Sequence, residues 1–199
     1  EPQLSFKTYA VGYPVTFAVM LVASVLTGTL ASKLKDHARL SARSAFRTQV
    51  LFDTDRLLQK AKSNDDILSV TCMQLSRLLD RSIVAYTKSE NGMSTGRLFA
   101  EKKYTYSENL LNAAEQKAAE WAFQNGRRTG ATTAQFGKSE CLYLAIRAGD
   151  RVYGVIGIPM RPEKPDSFEN SIVLSVVNEC ALAMDNTHNA AEKERAADL

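Results

Sequence analysis

Leu142-Tyr143-Leu144-Ala145-Ile146 and Val152-Tyr153-Gly154-Val155-Ile156-Gly157-Ile158 are two apolar segments on either side of Ala148-Gly149-Asp150. Both segments are rich in β-branched, aromatic and other apolar residues, which is typical of strands. The Gly-Asp pair between them favours a tight turn. The sequence therefore predicts an antiparallel β-hairpin, with further strands and helices on both sides of it in the chain.

Upstream of the hairpin the chain alternates between strand and helix patterns. Ser82–Tyr86 and Arg97–Ala100 are predicted to be partner strands, with turn-forming residues at Ser89–Gly92 between them. Glu108–Gln124 is predicted to be a helix that Asn125-Gly126 ends.

Downstream, Pro159–Pro165 breaks the chain and Ser167 begins a long helix toward Leu199. The order of elements predicts an α+β domain with an antiparallel sheet flanked by helices. The last helix has a seam spaced 4-3-4-3-4, formed by Val173, Val177, Cys180, Met184, Thr187 and Ala191. That seam fits either a parallel coiled coil or a helix that packs on its own sheet, and the sequence leaves both open.

The N-terminal part differs in composition, because no charged residue occurs from Thr8 to Ser32. A helix rises about 1.5 Å per residue, so about 20 apolar residues cross the hydrocarbon layer. We expect a transmembrane helix here. A cleaved signal peptide would have its basic residues on the other side of the apolar run, and a run of this length is unusual for a buried core helix.

Basic residues follow the apolar run, whereas only Lys7 precedes it. This asymmetry places Glu1 outside and the chain after Lys33 in the cytoplasm, which predicts a membrane-attached module with its larger part in the cytoplasm. The expected parts are a membrane segment (1–32), a basic linker helix (33–62), the α+β domain (63–166) and a C-terminal helix (167–199). Ser63-Asn64-Asp65 is the predicted N-terminal cap of the helix that opens the third part.

Two sets of residues in the first helix are candidate functional positions. Arg39, Arg43 and Arg47 recur every four residues and share one helix face, where they are expected to contact anionic headgroups. Their position beside a bilayer favours lipid over nucleic acid as the partner, although they also serve as a topology signal. Ser24, Gly28 and Ser32 recur at the spacing that lets membrane helices approach closely.

No catalytic constellation is evident. The three cysteines (Cys72, Cys141, Cys180) are far apart in sequence and predict no disulfide framework, and no metal-ligand spacing or phosphate-binding glycine loop occurs. Five aromatic residues are candidates for lining a small-ligand pocket: Tyr86, Phe99, Phe136, Tyr143 and Tyr153. Aromatic residues on a half-buried sheet give the same pattern without a ligand.

Several motifs resemble the potassium-responsive sensor histidine kinases of the Kdp system. The stretch from Thr16-Phe17-Ala18-Val19-Met20-Leu21 through Ala38-Arg39 to Asp55-Arg56-Leu57-Leu58 resembles their last transmembrane helix and its cytoplasmic extension. Trp121-Ala122-Phe123, Asn125-Gly126 and Tyr153-Gly154-Val155-Ile156 resemble the GAF domain that follows. The resemblance covers nearly the whole chain.

The resemblance implies the sensory and relay portion of a homodimeric kinase that signals to a response regulator. His188 does not match a phosphoacceptor motif, and the Asn-rich and Gly-rich ATP boxes are missing, so ATP is expected only in a kinase core outside this sequence. Two other functions are weighed. One is a membrane-anchored GAF module that binds a small cytosolic ligand. The other is a GAF-fold methionine sulfoxide reductase that uses Cys141 at a reachable strand start.

Overall fold

A computed structural model of the 199-residue chain describes residues 13–61, 63–89, 92–100, 108–160 and 167–197. Three predicted features lie wholly or partly outside these ranges: the external N-terminus, the tip of the turn at residues 90–91, and most of the break between Pro159 and Pro165. The chain divides into two compact units, Glu1–Arg47 and Thr48–Leu199.

The first helix, α1, spans Tyr13–Leu58, so it ends four residues before the predicted Lys62. In the first unit its side chains from Val15 to Arg47 are exposed, including large apolar ones such as Phe17, Met20 and Leu26. Exposed apolar side chains along a whole helix are characteristic of a helix whose surroundings are not water. Among the described helices, α1 is the one long and apolar enough to cross a membrane, with a window mean hydropathy of 1.9.

In the second unit, α2 spans Asn64–Leu79, and its predicted cap is confirmed. The Ser63 hydroxyl accepts a hydrogen bond of 3.1 Å from the N–H of Asp66, which satisfies one of the free amides of the first turn. The helix ends at Asp80, a left-handed residue whose N–H donates to the Ser76 carbonyl. Sequence pattern and structure agree closely at this element.

The predicted helix over Glu108–Gln124 is wrong in one respect, because two elements replace it. A 3₁₀ turn spans Glu108–Leu111, and α3 spans Ala113–Asn125. The break lies at Asn112, whose side-chain oxygen accepts 2.9 Å hydrogen bonds from the amides of Ala114 and Glu115. An asparagine at this position caps a new helix instead of continuing the old one.

Six antiparallel strands form one sheet in the described chain: β1 Ile83–Ser89, β2 Gly92–Met93, β3 Arg97–Phe99, β4 Thr129–Gly130, β5 Cys141–Ala148 and β6 Arg151–Pro159. Their order is β2-β1-β6-β5-β4, with β3 also paired to β1. The predicted hairpin is confirmed as β5–β6, and Gly149 in its turn has a φ of 57°. The short strands β2 and β4 were not predicted.

The sheet has a hydrophobic core on each face, because successive side chains of a strand point to opposite sides. On β5, Leu142, Leu144 and Ile146 pack with α2 and α4, whereas Cys141 and Tyr143 pack with α3. The end of α1 adds Val50 and Leu58 to the first core.

The last helix, α4, spans Ser167–Ala197 as predicted from Ser167. The first four seam residues, Val173, Val177, Cys180 and Met184, are buried in the core that α4 shares with the sheet. Of the two interpretations left open, packing on its own sheet is therefore confirmed for this half of the helix. These four side chains do not form a seam for a coiled-coil partner.

Candidate functional site

A buried carboxylate, Glu115, organises the core beneath α3. Only 3% of this residue is exposed. Its oxygens accept hydrogen bonds from the Tyr143 hydroxyl at 2.8 Å, from the Glu140 amide at 2.8 Å and from the Cys141 amide at 3.3 Å. A buried carboxylate is tolerated when donors satisfy it in this way. Glu115 thus joins α3 to the beginning of β5.

Two tyrosine rings fill the space beside Glu115. Tyr86 and Tyr143 are fully buried, with ring centroids 6.3 Å apart. A Cβ on Gly157 would lie 2.5 Å from a Tyr143 ring carbon, so a glycine is required for the ring to lie against β6. Burial raises the pKa of the Tyr86 hydroxyl to about 12 and raises that of Tyr143 further, so both stay protonated at neutral pH.

Cys141 begins β5 as predicted, but its expected accessibility is wrong. The residue is completely buried. Burial, followed by the negative charge of Glu115, raises the pKa of the Cys141 thiol to about 12. The thiolate is the nucleophilic form, and it is scarce at neutral pH in this environment. Cys72 and Cys180 lie in the core on the other face of the sheet, so they offer no resolving thiol.

The structure does not gather the five candidate aromatic residues around one cavity. Tyr86 and Tyr143 lie in the core beneath α3, whereas Phe99 and Tyr153 pack against the core on the opposite face. Phe136 is 40% exposed. Of the five, Tyr153 lines a cleft beside the β5–β6 turn. The set remains a prediction about ligand binding, and its members occupy separate environments.

We name this cleft the hairpin cleft, since the β5–β6 turn forms one of its walls. It encloses about 610 Å³. The lining comprises Asn64, Thr87, Lys88, Phe123, Gln124, Asp150, Arg151, Val152, Tyr153, Met184 and His188. These residues come from the ends of β1 and α3, the beginning of α2, the hairpin and α4. Sequence reasoning proposed only Tyr153 of this group for a ligand pocket, because most of the other residues lie on elements far from it in the chain.

Hydrogen bonds and ion pairs fix the α4 side of the hairpin cleft. The Tyr153 hydroxyl donates to Asp185 at 2.5 Å. The carboxylate of Glu192 lies 3.7 Å from the Arg151 guanidinium and 3.2 Å from the His188 ring nitrogen Nε2. These contacts connect the β5–β6 hairpin with α4.

In the first unit, Arg39, Arg43 and Arg47 are exposed on α1 at the predicted four-residue spacing. Ser24 and Gly28 line a shallow depression on the same helix together with Ala31, and Ser32 follows one residue later. Whether these residues contact lipid or another helix stays a prediction. Within the described ranges, no group of three His, Cys, Asp or Glu side chains is arranged to hold a metal ion.

Glu115 was missed by sequence reasoning, although a signal was present. It shares one helix face with the buried alanines Ala118, Ala119 and Ala122. An acid on the apolar face of a helix indicates a buried carboxylate with partners elsewhere in the fold.

Curated proteins similar to this chain include two KdpD sensor proteins. The sensor protein KdpD of Clostridium acetobutylicum is 30% identical over 201 residues, covering 98% of this chain and 22% of the relative. KdpD of Escherichia coli is 23% identical over 155 residues, covering 78% of this chain and 16% of the relative. The chain therefore spans about a fifth of the length of these proteins. Residues 1–44 match the model of a domain of unknown function, DUF4118.

Solved structures establish the fold of the second unit as that of a GAF domain. The GAF domain of the potassium sensor histidine kinase KdpD from Escherichia coli superimposes with a TM-score of 0.55 and 17% identity, covering 73% of this chain and 98% of that one. A GAF domain from an Acinetobacter phosphoenolpyruvate-protein phosphotransferase superimposes with a TM-score of 0.52 and 13% sequence identity. The match covers 74% of this chain and 98% of that one. The predicted GAF-like sheet flanked by helices is confirmed, and the chain resembles Kdp-type sensors as expected.

Proposed function

We propose that this chain is the membrane-attached sensory portion of a sensor histidine kinase of the Kdp type. The observation that carries the proposal is the similarity to a KdpD sensor protein over 98% of the chain. An exposed apolar helix and a GAF domain in the same chain support it. The proposed location is the bacterial inner membrane, with the GAF domain in the cytoplasm.

The proposed mechanism is conformational. A stimulus changes the state of the membrane helix, and the GAF domain transmits the change toward a kinase core that binds ATP and serves a response regulator. Such a relay needs two arrangements that differ by only a few kcal/mol, so that a modest input shifts their populations. Potassium as the stimulus and assembly as a homodimer are parts of the proposal.

Anionic lipid is the proposed partner of the arginine face. Arg39, Arg43 and Arg47 follow the apolar part of α1 and are exposed on one side of it. Each basic residue close to an anionic leaflet contributes about 1 kcal/mol to the attraction. Their contact with headgroups would bias the position of the helix, and that bias is the proposed regulatory contribution.

The test places the chain, in full, in a KdpD relative in exchange for its matching segment. Arg39, Arg43 and Arg47 are then replaced together by Gln, and autophosphorylation in inner-membrane vesicles is measured while potassium and salt are varied. We expect autophosphorylation of the triple variant to respond weakly or not at all to potassium and to salt, since the positive charge that biases the helix is absent.

The matched control is the double variant Arg127→Gln, Arg128→Gln, whose residues are exposed or partly exposed beside the end of α3. It should respond like the unaltered chimera. A triple variant that inserts normally and keeps the full response to potassium and salt would contradict the proposed role of the arginine face.

A further inference from the structure

The hairpin cleft has the dimensions of a small-molecule site. Its volume of about 610 Å³ lies within the range of about 300 to 1,000 Å³ that is usual for ligand pockets. Phe123, Val152 and Met184 supply apolar lining, and the eight other lining residues carry polar groups. A cleft that combines apolar surface with polar groups can hold an organic molecule that has both.

The charges of the lining favour an anion. The lining of the hairpin cleft contains two permanent cations, Lys88 and Arg151, and one acid, Asp150. Arg151 is already oriented, because Asn189 accepts a 3.2 Å hydrogen bond from its guanidinium and the Glu192 carboxylate lies 3.7 Å away. Part of its charge is therefore already paired within the protein. Lys88 is exposed and makes no ion pair within the described part of the chain. A positively charged group without a partner is available to a carboxylate or phosphate.

The lining of the hairpin cleft also contains a hydrogen-bond acceptor without a partner. The side-chain oxygen Oδ1 of Asn64 is buried at the beginning of α2 and has no hydrogen-bond partner in the part of the chain that the structure describes. A buried polar atom without a partner costs about 1 to 3 kcal/mol. Asn64 belongs to the lining of the hairpin cleft. A ligand with an N–H or O–H group would satisfy this oxygen.

We propose that the hairpin cleft binds a small organic anion with an apolar body. Its acidic group pairs with Lys88 and Arg151, its body packs on Val152 and Met184, and its N–H or O–H group donates to Asn64. The inference goes beyond the proposed relay. Binding to the cleft is measured without any kinase output, so either proposal can fail alone.

The test uses the whole chain in nanodiscs of zwitterionic phosphatidylcholine and indole-3-acetate as the probe, with empty nanodiscs as the blank. Indole-3-acetate has a carboxylate, a flat apolar ring and an N–H donor. Isothermal titration calorimetry should show saturable binding to one site. Neutral indole-3-acetamide and N-methylated 1-methylindole-3-acetate should each bind about tenfold more weakly, about 1.4 kcal/mol per tenfold.

Two variants report on separate contacts. Lys88→Glu should weaken indole-3-acetate binding by about tenfold or more, whereas the control Lys138→Glu, an exposed lysine outside the cleft lining, should leave it unchanged. Asn64→Leu should remove the difference between indole-3-acetate and its N-methylated analogue, because the acceptor for the N–H is gone. Circular dichroism checks that each variant is folded.

The proposal is overturned if indole-3-acetate shows no saturable binding up to about 10 mM, a range in which contacts of this kind would be detected. It is equally overturned if folded Lys88→Glu binds as tightly as Lys138→Glu. Retention of the full N–H preference by folded Asn64→Leu would refute the assignment of Asn64 as the acceptor.

Discussion

At the scale of single residues, Glu115 shows how one buried charge connects two elements. Its three donors come from the end of the loop before β5 and from β5 itself, and two of the hydrogen bonds, from the Cys141 amide and the Tyr143 hydroxyl, are buried. The stability lost when the Glu115 carboxylate is removed therefore includes the cost of leaving buried donors without a hydrogen-bond partner.

We expect Glu115→Ala to lower the free energy of unfolding by about 2 to 4 kcal/mol, since two amides and one hydroxyl lose their acceptor. Urea denaturation of the chain in detergent micelles, followed by circular dichroism, measures the change. The control is Glu120→Ala, an exposed acid on the same helix, which should change stability by less than about 0.5 kcal/mol. Equal losses for the two variants would contradict the assigned role.

The buried thiols predict a pH dependence. The pKa values of Cys141 and Cys180 are raised to about 12 from an ordinary 9.0, mainly by burial. Above pH 9 the unfolded chain releases protons that the folded chain retains, so the free energy of unfolding falls as pH rises from 9 toward 12. Below about pH 8 this contribution is constant.

The measurement compares the chain with a Cys141→Ala, Cys180→Ala double variant by urea denaturation at pH 8, 9 and 10. The double variant should lose less stability over this interval, because it lacks the two thiols whose protons the folded chain retains. Identical pH profiles would show that these thiols are not protected in the fold.

The residues that form the described sites were largely beyond sequence reasoning. Cys141 and Tyr143 were predicted to be candidate functional residues. Nothing in the local sequence indicates that they lie beside Glu115, which is 26 residues from Cys141 and 28 residues from Tyr143. The lining of the hairpin cleft comes from five elements, and its assembly depends on sheet order.

At the scale of elements, local signals were reliable where they were strong. The Gly149-Asp150 turn and the Ser63 cap predicted the hairpin and the beginning of α2. The two-residue strands β2 and β4 carry no periodic pattern, so pairing with neighbours defines them. The seam of α4 could not be assigned from spacing, because packing on a sheet and on another helix require the same apolar spacing.

The break between the 3₁₀ turn and α3 makes a specific prediction for Asn112. Replacing it with Ala should lower the free energy of unfolding by about 1 kcal/mol, since two amides of the first turn lose their acceptor. Asn112→Asp should keep most of the stability, because a carboxylate also caps a helix N-terminus. Thermal denaturation by circular dichroism ranks the three proteins. If Asp is as damaging as Ala, the side chain does not act as a cap.

At the scale of the whole molecule, the account depends on where the two units reside. The uncharged run, the basic residues after it and the exposure of apolar side chains on α1 all favour a membrane span with the GAF domain in the cytoplasm. The sequence alone predicted this arrangement, because hydrophobic length and charge asymmetry are local properties.

The most direct test expresses the chain in bacteria with Arg127→Cys, a position close to the end of α3 in the GAF domain. The unaltered chain, with its three buried cysteines, provides the background. The account predicts that the protein stays in the membrane pellet after a carbonate wash, and that a membrane-impermeant maleimide labels the new cysteine only after the cells are permeabilised. Release by carbonate, or labelling in intact cells, would contradict a membrane-attached module with a cytoplasmic GAF domain.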